Sequence, residues 1–382
     1  MNKCWATVPL GEMLTFQRGF DITKKEQEDG SYPVISSSGP NSTHSAFKVK
    51  GPGVVIGRKG TLGTVFYAEN DFWPHDTTLW VKDFHGNEPK FSYYFLRTLG
   101  LEQYDCGASN PTLNRNHIHT LPIRRPPIEV QCRIACILSA YDDLIENNTR
   151  RIQILEQMAQ MLYREWFVNF RFPGHEKVKM VESEIGLIPE GWSAQSVGKV
   201  SLNFDSKRKP LSSIERSTRK GPYPYYGAAK IFDFIDDFIF DGVFLLVGED
   251  GSVITPDNKP VLQLTDGKFW PNNHTHVIQG KAPISAYYLY LRLADADVTG
   301  CVTGAAQPKI TQANLNRIPV AAPTAQLLER FDATTTPMFL DIALLQKKNR
   351  NLRTTRDLLL PKLLSGEVSF ETLEEEVLAE TV

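Results

Sequence analysis

With 382 residues, 41% of them hydrophobic and 23% charged, the chain is long enough for two or three domains with real cores and has the composition of an ordinary soluble globular protein. A formal net charge of −2 and a pI near 6.5 leave no global excess of Lys and Arg, so any nucleic-acid surface has to be a local patch. Five scattered cysteines, Cys4, Cys106, Cys132, Cys136 and Cys301, contain no C-x-x-C, which argues against a disulfide framework or a structural zinc site.

The first residues, MNKCWATVPL, lack the apolar core of a signal peptide, and the greasiest run, IFDFIDDFIFDGVFLLVG, is interrupted by Asp233, Asp236, Asp237 and Asp241. A cytoplasmic protein without membrane contact is expected. Residues 5–125 mix short β-branched and aromatic runs such as VVIG and TVFYA with Gly, Pro, Asn and Ser. That pattern predicts strands joined by turns, with one helix at FSYYFLRTL. From Ile134 the period changes. Ile134, Leu138, Tyr141, Ile145, Asn148, Ile152, Leu155, Ala159, Leu162 and Trp166 alternate four and three residues apart, which is a heptad seam. A helix from Ile134 to Trp166 would extend about 50 Å at 1.5 Å per residue.

Residues 192–322 return to the strand-and-turn pattern, with a helix predicted at ISAYYLYLRL. The heptad then recurs 197 positions on, through Phe331, Thr335, Met338, Ile342, Leu345, Asn349, Leu352, Arg356, Leu359 and Leu363. Pro337 is the weak point of this second helix: after Thr335 and Thr336 it reads as a possible first helical residue, which would shorten or break the rod. The final ETLEEEVLAETV reads as a solvated acidic tail.

The chain is therefore written twice. YPVISSSG from Tyr32 resembles YPYYGAAK from Tyr223, and VVIGRKGTLG resembles LLVGEDGSVI with Gly57 against Gly248, both at offset 223 − 32 = 191. FWPHDTTLWV and FWPNNHTHVI pair Trp73 with Trp270 at 270 − 73 = 197, as do GASNPTLNRNHIHTLPIRRP and GAAQPKITQANLNRIPVAAP. Units near 190 residues are too long for a solenoid, so each is a domain with its own core. The expected fold is α+β: two tandem-duplicated globules with twisted mixed sheets, separated by two long helices that pair preferentially as an antiparallel coiled coil, giving a pseudo-twofold molecule. The expected boundaries are residues 1–127 and 192–323 for the globules, 128–170 and 324–366 for the helices, 171–191 for a linker and 367–382 for the tail.

Three constellations could carry chemistry. His75-Asp76 and the His274-x-His276 pair invite a metal or a general base, but His75 aligns with Asn272 and Asp76 with Asn273, so each copy lacks the other's reactive groups. FWP then reads as a packing anchor. GRKG at Gly57–Gly60 and GEDG at Gly248–Gly251 lack the spacing of phosphate loops. Their glycines suit tight turns, and their middle residues reverse in sign, Arg58-Lys59 against Glu249-Asp250. Two readings stand: a solvated turn of variable charge, or two different base readouts, Arg towards guanine and an acid towards cytosine. The segments around Asn110, Thr112, Asn114 and Arg115, and around Gln307, Lys309 and Gln312, carry side chains of the types that contact bases and phosphates, or form capped turns leading into strands. No N-P-P-[YF], H-E-x-x-H, G-x-S-x-G or Walker pair is present, so no engine for catalysis is evident.

IPEGW at Ile188–Trp192, FWPNNHTHVI, ILSAYDDLIENNTRRIQILEQMAQMLYREWFV from Ile137 and RDLLLPKLLSGEV from Arg356 resemble the specificity subunit of type I restriction-modification enzymes, over nearly the whole chain. The resemblance implies two target-recognition domains, each reading one half of a bipartite asymmetric site on double-stranded DNA. It also implies helices that set the spacer and dock two methyltransferase subunits, with nuclease-translocase subunits joining, and a chain that itself catalyses nothing and needs no cofactor. A helix of about 50 Å exceeds one duplex turn of about 34 Å. Under the resemblance, DNA-contacting candidates are the polar positions near the repeated motifs: Ser36, Ser37, Ser38, Arg58, Lys59, Thr61, His75, Asp76, Asn110, Thr112, Asn114 and Arg115 in the first copy. In the second they are Tyr226, Lys230, Glu249, Asp250, Asn272, Asn273, His274, Gln307, Lys309 and Gln312. The competing expectations are a stand-alone metal-dependent hydrolase or nuclease built on His75, Asp76, His274 and His276, and a coiled-coil scaffold with carbohydrate- or peptide-binding globules.

Overall fold

The computed structural model describes residues 5–107, 111–251, 253–304, 307–365 and 367–368. The chain forms two compact units, one of residues 1–147 and 348–382, the other of residues 148–347. The boundaries cut through both long helices, Ile128–Tyr163 and Ala325–Ser365. Each unit is thus one globule with part of each helix.

In the first unit a four-stranded antiparallel sheet runs in the order Thr15–Arg18, Thr78–Asp83, Gly53–Gly57, Val65–Ala68. Gly53–Gly57 is buried along its whole length, as its VVI core requires. A second sheet orders Gly39–His44, Tyr32–Ser36 and Trp73–Pro74, the last pair parallel, with Val34 opposite Trp73 and Ile35 opposite Pro74. The helix Pro89–Leu96, capped by the Glu88 carboxylate, packs Phe91, Tyr94 and Phe95 into the core.

The second unit repeats this plan at the offsets found in the sequence. Its four-stranded sheet runs Ser201–Asn203, Thr275–Gly280, Phe244–Gly248, Leu262–Thr265. Tyr225 and Tyr226 pair in parallel with Trp270 and Pro271, as 34 + 191 = 225 and 73 + 197 = 270 require. The isolated bridge Lys59–Thr112 recurs as Asp250–Lys309. FWP is an anchor in both copies: Phe72 and Phe269 are fully buried, and the indole N–H of Trp73 donates to Phe20 O (3.3 Å) as that of Trp270 donates to Lys209 O (2.6 Å). The turn glycines Gly60 and Gly251 both sit at positive φ (76° and 80°), where a side chain would be strained.

The helices pair antiparallel within each unit. In the first, Ile134 and Leu138 share a core with Leu360 and Leu363, Asp142 pairs with Arg356, and Asn349 Nδ2 donates to Ile145 O (3.3 Å). In the second, Ala159 and Tyr163 share a core with Phe331, Phe339 and Ile342. Of the other seam positions, Ile145, Leu345 and Asn148 are buried, while Tyr141, Ile152, Leu155, Leu162, Met338, Leu352 and Leu359 are half-buried. Pro337 does not break the second helix, which runs from Ala325 to Ser365 through both Pro337 and Pro361. A mid-helix proline removes one hydrogen bond. Here Phe331 and Phe339 are buried on either side of it, and the hydroxyls of Thr334 and Thr335 bond back to the carbonyls of Arg330 and Phe331 (3.2 and 3.0 Å), so packing outweighs local propensity. The 171–191 segment is not a bare linker: Met180–Val181 pairs with Ile188–Pro189, and Phe172, Ile188 and Trp192 lie in the core of the second unit.

Candidate nucleic-acid interface

Four segments far apart in sequence converge in the first unit. The N–H of Ser37 donates to Thr77 Oγ1 (3.2 Å), and Thr64 Oγ1 donates to Ser37 O (2.8 Å). The N–H groups of Arg58 and Lys59 both donate to Thr77 O (2.8 and 3.0 Å), and the N–H of Leu113 donates to Arg58 O (2.9 Å). The serine hairpin, the GRKG turn, the loop after FWP and the TLNRN segment therefore form one surface. The second unit assembles the corresponding four: the N–H of Asn272 donates to Tyr226 O (2.9 Å), that of Glu249 to His274 O (2.9 Å) and that of Ile310 to Glu249 O (2.9 Å).

The two surfaces differ in charge. In the first, Asp76 takes Arg18 at 3.0 Å, Lys59 at 3.5 Å and His75 Nδ1 at 3.1 Å. Burial would raise the Asp76 pKa, but these neighbours outweigh it and hold the carboxyl below its usual range. Arg58 adds a third cation, its pKa lowered by burial and then by the charge of Arg18. In the second, Glu249 pairs with Arg208 Nη1 (2.6 Å) and Lys309 Nζ (3.1 Å), and Asp250 with His274. His276, almost fully buried, is bonded to Asp205 through Nδ1 (2.6 Å) and to Ile310 O through Nε2 (2.8 Å). Burial disfavours its charge, but those bonds and the charges of Asp205 and Glu249 raise its pKa above the usual value. Burial would raise both acids, but His276 and the N–H of Val277 hold Asp205 low, and Arg208, His276 and Lys309 hold Glu249 low.

Ligand atoms of Asp205, Glu249 and His276 lie within 4.8 Å of one another, yet they do not make a metal site. Both ring nitrogens of His276 are bonded, and Arg208 and Lys309 occupy the Glu249 carboxylate. The hydrolase constellation is likewise divided, with His75 and Asp76 in one unit and His274 and His276 in the other.

Several candidates change role. Glu249 is half-buried, with one oxygen on Arg208 and the other on Lys309. Ser37 and Asn272 are buried, and Asn272 Oδ1 accepts from the N–H of His274 (2.9 Å), ordering the loop instead of facing outward. Asn114 caps the short helix Arg115–His119 by accepting from the N–H of Asn116 (2.9 Å), as Thr311 caps Gln312–Arg317. Ser38, Thr61, Arg115, Lys230, Asn273, His274, Gln307 and Gln312 are exposed. Ser36, Arg58, Lys59, His75, Asp76, Thr112, Tyr226, Asp250 and Lys309 are half-exposed. Asn110 lies outside the described residues.

A family model described as the type I restriction modification DNA specificity domain matches residues 2–157 and again 189–336. The chain belongs to that family. Its role is DNA sequence recognition, as a specificity subunit. Over 377 residues it is 25% identical to the type I restriction enzyme MjaIX specificity subunit of Methanocaldococcus jannaschii, covering 92% of this chain and 87% of that one. A putative type I specificity subunit of Haemophilus influenzae, S.HindORF215P, is 36% identical over 119 residues, 31% of this chain and 30% of its own. In fold, the chain is similar to the crystal structure of the type I restriction-modification S subunit from M. genitalium, with a TM-score of 0.63 at 17% identity, covering 95% of this chain and 97% of that one.

For a specificity subunit, sequence reasoning overlooked Arg18, Arg208 and Asp205. Arg18 closes the first of its strands and Arg208 follows the matching strand at an offset of 208 − 18 = 190. A basic residue repeated at nearly the repeat offset was the signal, masked by dissimilar neighbours, TFQRGF against DSKRKP. Among the described residues no helix is long and apolar enough to cross a membrane.

Proposed function

We propose that each globule reads one half of a bipartite, asymmetric site on double-stranded DNA. The long helices set the spacer and dock two methyltransferase subunits, to which nuclease-translocase subunits are added. The chain contributes recognition and no catalysis, works in the cytoplasm and holds no cofactor. One observation carries the reading: the same four segments converge in both units on the same backbone plan, while their polar side chains differ and the turn between Gly57 and Gly60 reverses in charge at its second copy. A shared frame with divergent polar groups is what two readers of different sequences need, since phosphate contacts position and base contacts specify.

The test is to sequence methylated bases in the host genome with and without this gene, and again after residues 5–125 are exchanged for another globule. A split motif that depends on the gene, with only one half altered by the exchange, is the expected outcome. Methylation independent of the gene, or an unchanged motif after the exchange, would refute the proposal.

A further inference from the structure

The GRKG turn holds a cation that the protein itself leaves unsatisfied. Nη1 of Arg58 is shut off from solvent and has no hydrogen-bond partner among the described residues, a state that protein interiors rarely tolerate. Asp76, the acid whose charge reaches it, is engaged by Arg18, Lys59 and His75. The backbone of Arg58 is fixed on both sides, its N–H on Thr77 O at 2.8 Å and its carbonyl on the N–H of Leu113 at 2.9 Å. The residue as a whole remains half-exposed, so the side chain borders solvent although Nη1 itself does not. A charged fork on a pinned backbone, partly dry and short of an acceptor, is organised for a ligand that offers two acceptors side by side.

We infer that Arg58 reads a guanine, its guanidinium donating to O6 and N7 in the major groove of the half-site bound by the first globule. This rests on the half-site reading proposed above. Phosphate is the other acceptor on DNA with suitable geometry, and the second copy argues against it. The backbone phosphates are the same in both half-sites, so a turn that gripped them would keep its charge. Instead Arg58 and Lys59 are replaced by Glu249 and Asp250, which would repel a phosphate. The bases differ between half-sites, and only the base edges give a reason for the same turn to change sign. Glu249 is already bonded within its own unit, so the second globule has no counterpart of this reader.

The test uses the full chain assembled with the methyltransferase subunits of its host, once the wild-type motif is known. Each guanine of the first half-site is replaced in turn by 7-deazaguanine, which lacks the N7 acceptor, and binding is measured on the unmodified protein. One position should weaken binding by roughly 5-fold or more, because the bidentate pair keeps O6 but loses its N7 acceptor. Arg58→Gln should relax the methylated motif at that same position and leave the other half-site intact. The inference is overturned if no guanine substitution in that half-site has such an effect. It is also overturned if Arg58→Gln weakens all sequences equally and reduces the slope of log affinity against log salt by about 0.9, the signature of one phosphate contact. A wild-type complex that methylates without a split motif would sink the half-site reading itself, and that outcome is visible before any base or residue is changed.

Discussion

The turn at Gly57–Gly60 and the turn at Gly248–Gly251 share a backbone and almost nothing else. Both follow a wholly buried strand, both end on a glycine at positive φ, and both lean on the loop after FWP. The first carries Arg58 and Lys59 beside Arg18, with Asp76 as the acid that pairs there. The second carries Glu249 and Asp250, each paired, within a network of Asp205, Arg208, His274, His276 and Lys309. Duplication fixed the frame, whose buried residues cannot change without leaving cavities or strain. The polar tips were left to diverge, one towards unsatisfied positive charge and the other towards internal compensation.

Exchanging the charges is the strongest way to break this contrast. Glu249→Arg strands Arg208, Lys309 and His276 around a like charge. It should cost about 3–5 kcal/mol, seen as a lower melting temperature of the second unit. The reciprocal Arg58→Glu removes a poorly satisfied cation and puts a second acid beside Arg18 and Lys59, which already pair with Asp76, so stability should move by about 0.5 kcal/mol or less while the methylation motif changes. Equal losses from the two swaps would mean that the turns are not different in kind. Leu155→Asp places a charge in the half-buried seam at a cost of about 1–3 kcal/mol. It should weaken subunit assembly, measured by sedimentation, without altering the bases read; a changed motif with assembly intact would contradict this.

The smallest effect is with pH. The raised pKa of His276 stabilises the second unit fully below about 6.5, and that contribution is lost as pH rises through the higher folded value. His119 in the first unit accepts the N–H of Phe16 through Nε2 (3.0 Å), and burial, then Arg115, lowers its pKa. Its contribution has the opposite sign, present above about 6.5 and lost as pH falls through the lower folded value. Melting curves between pH 6 and 8 should therefore weaken the second unit relative to the first, and His276→Leu, which matches Leu79 of the first copy, should flatten that trend.

The frame was legible in the sequence because burial constrains it. Offsets of 191 and 197 carry the Val34–Trp73 pairing of the first copy onto the Tyr225–Trp270 pairing of the second, and the heptads located both long helices. Pro337 misled because local propensity says nothing about the aromatic packing on either side of it. The polar tips were legible only as residue types. Whether Asn114 faces a ligand or caps a helix, and whether Glu249 is open or bonded, depends on partners 2 to 60 positions away, such as Asn116, Arg208 at 249 − 208 = 41 and Lys309 at 309 − 249 = 60. No periodicity encodes such distant pairs. The same limit hid Arg18, which meets Asp76 at 76 − 18 = 58 positions.

The two units also differ in how the ribosome can deliver them. The second is one continuous stretch, residues 148–347, whereas the first is completed only by residues from 348 onward. In the first, Ile134 and Leu138 are covered in part by Leu360 and Leu363. The intervening 347 − 147 = 200 residues take roughly 10–40 s to synthesise at about 5–20 residues per second. Throughout that interval the apolar face of the nascent first helix lacks its companion, although its globule was made first. The unit that begins the chain is the last to be closed, and a message truncated near codon 347 would yield a finished second unit attached to an open, aggregation-prone first one.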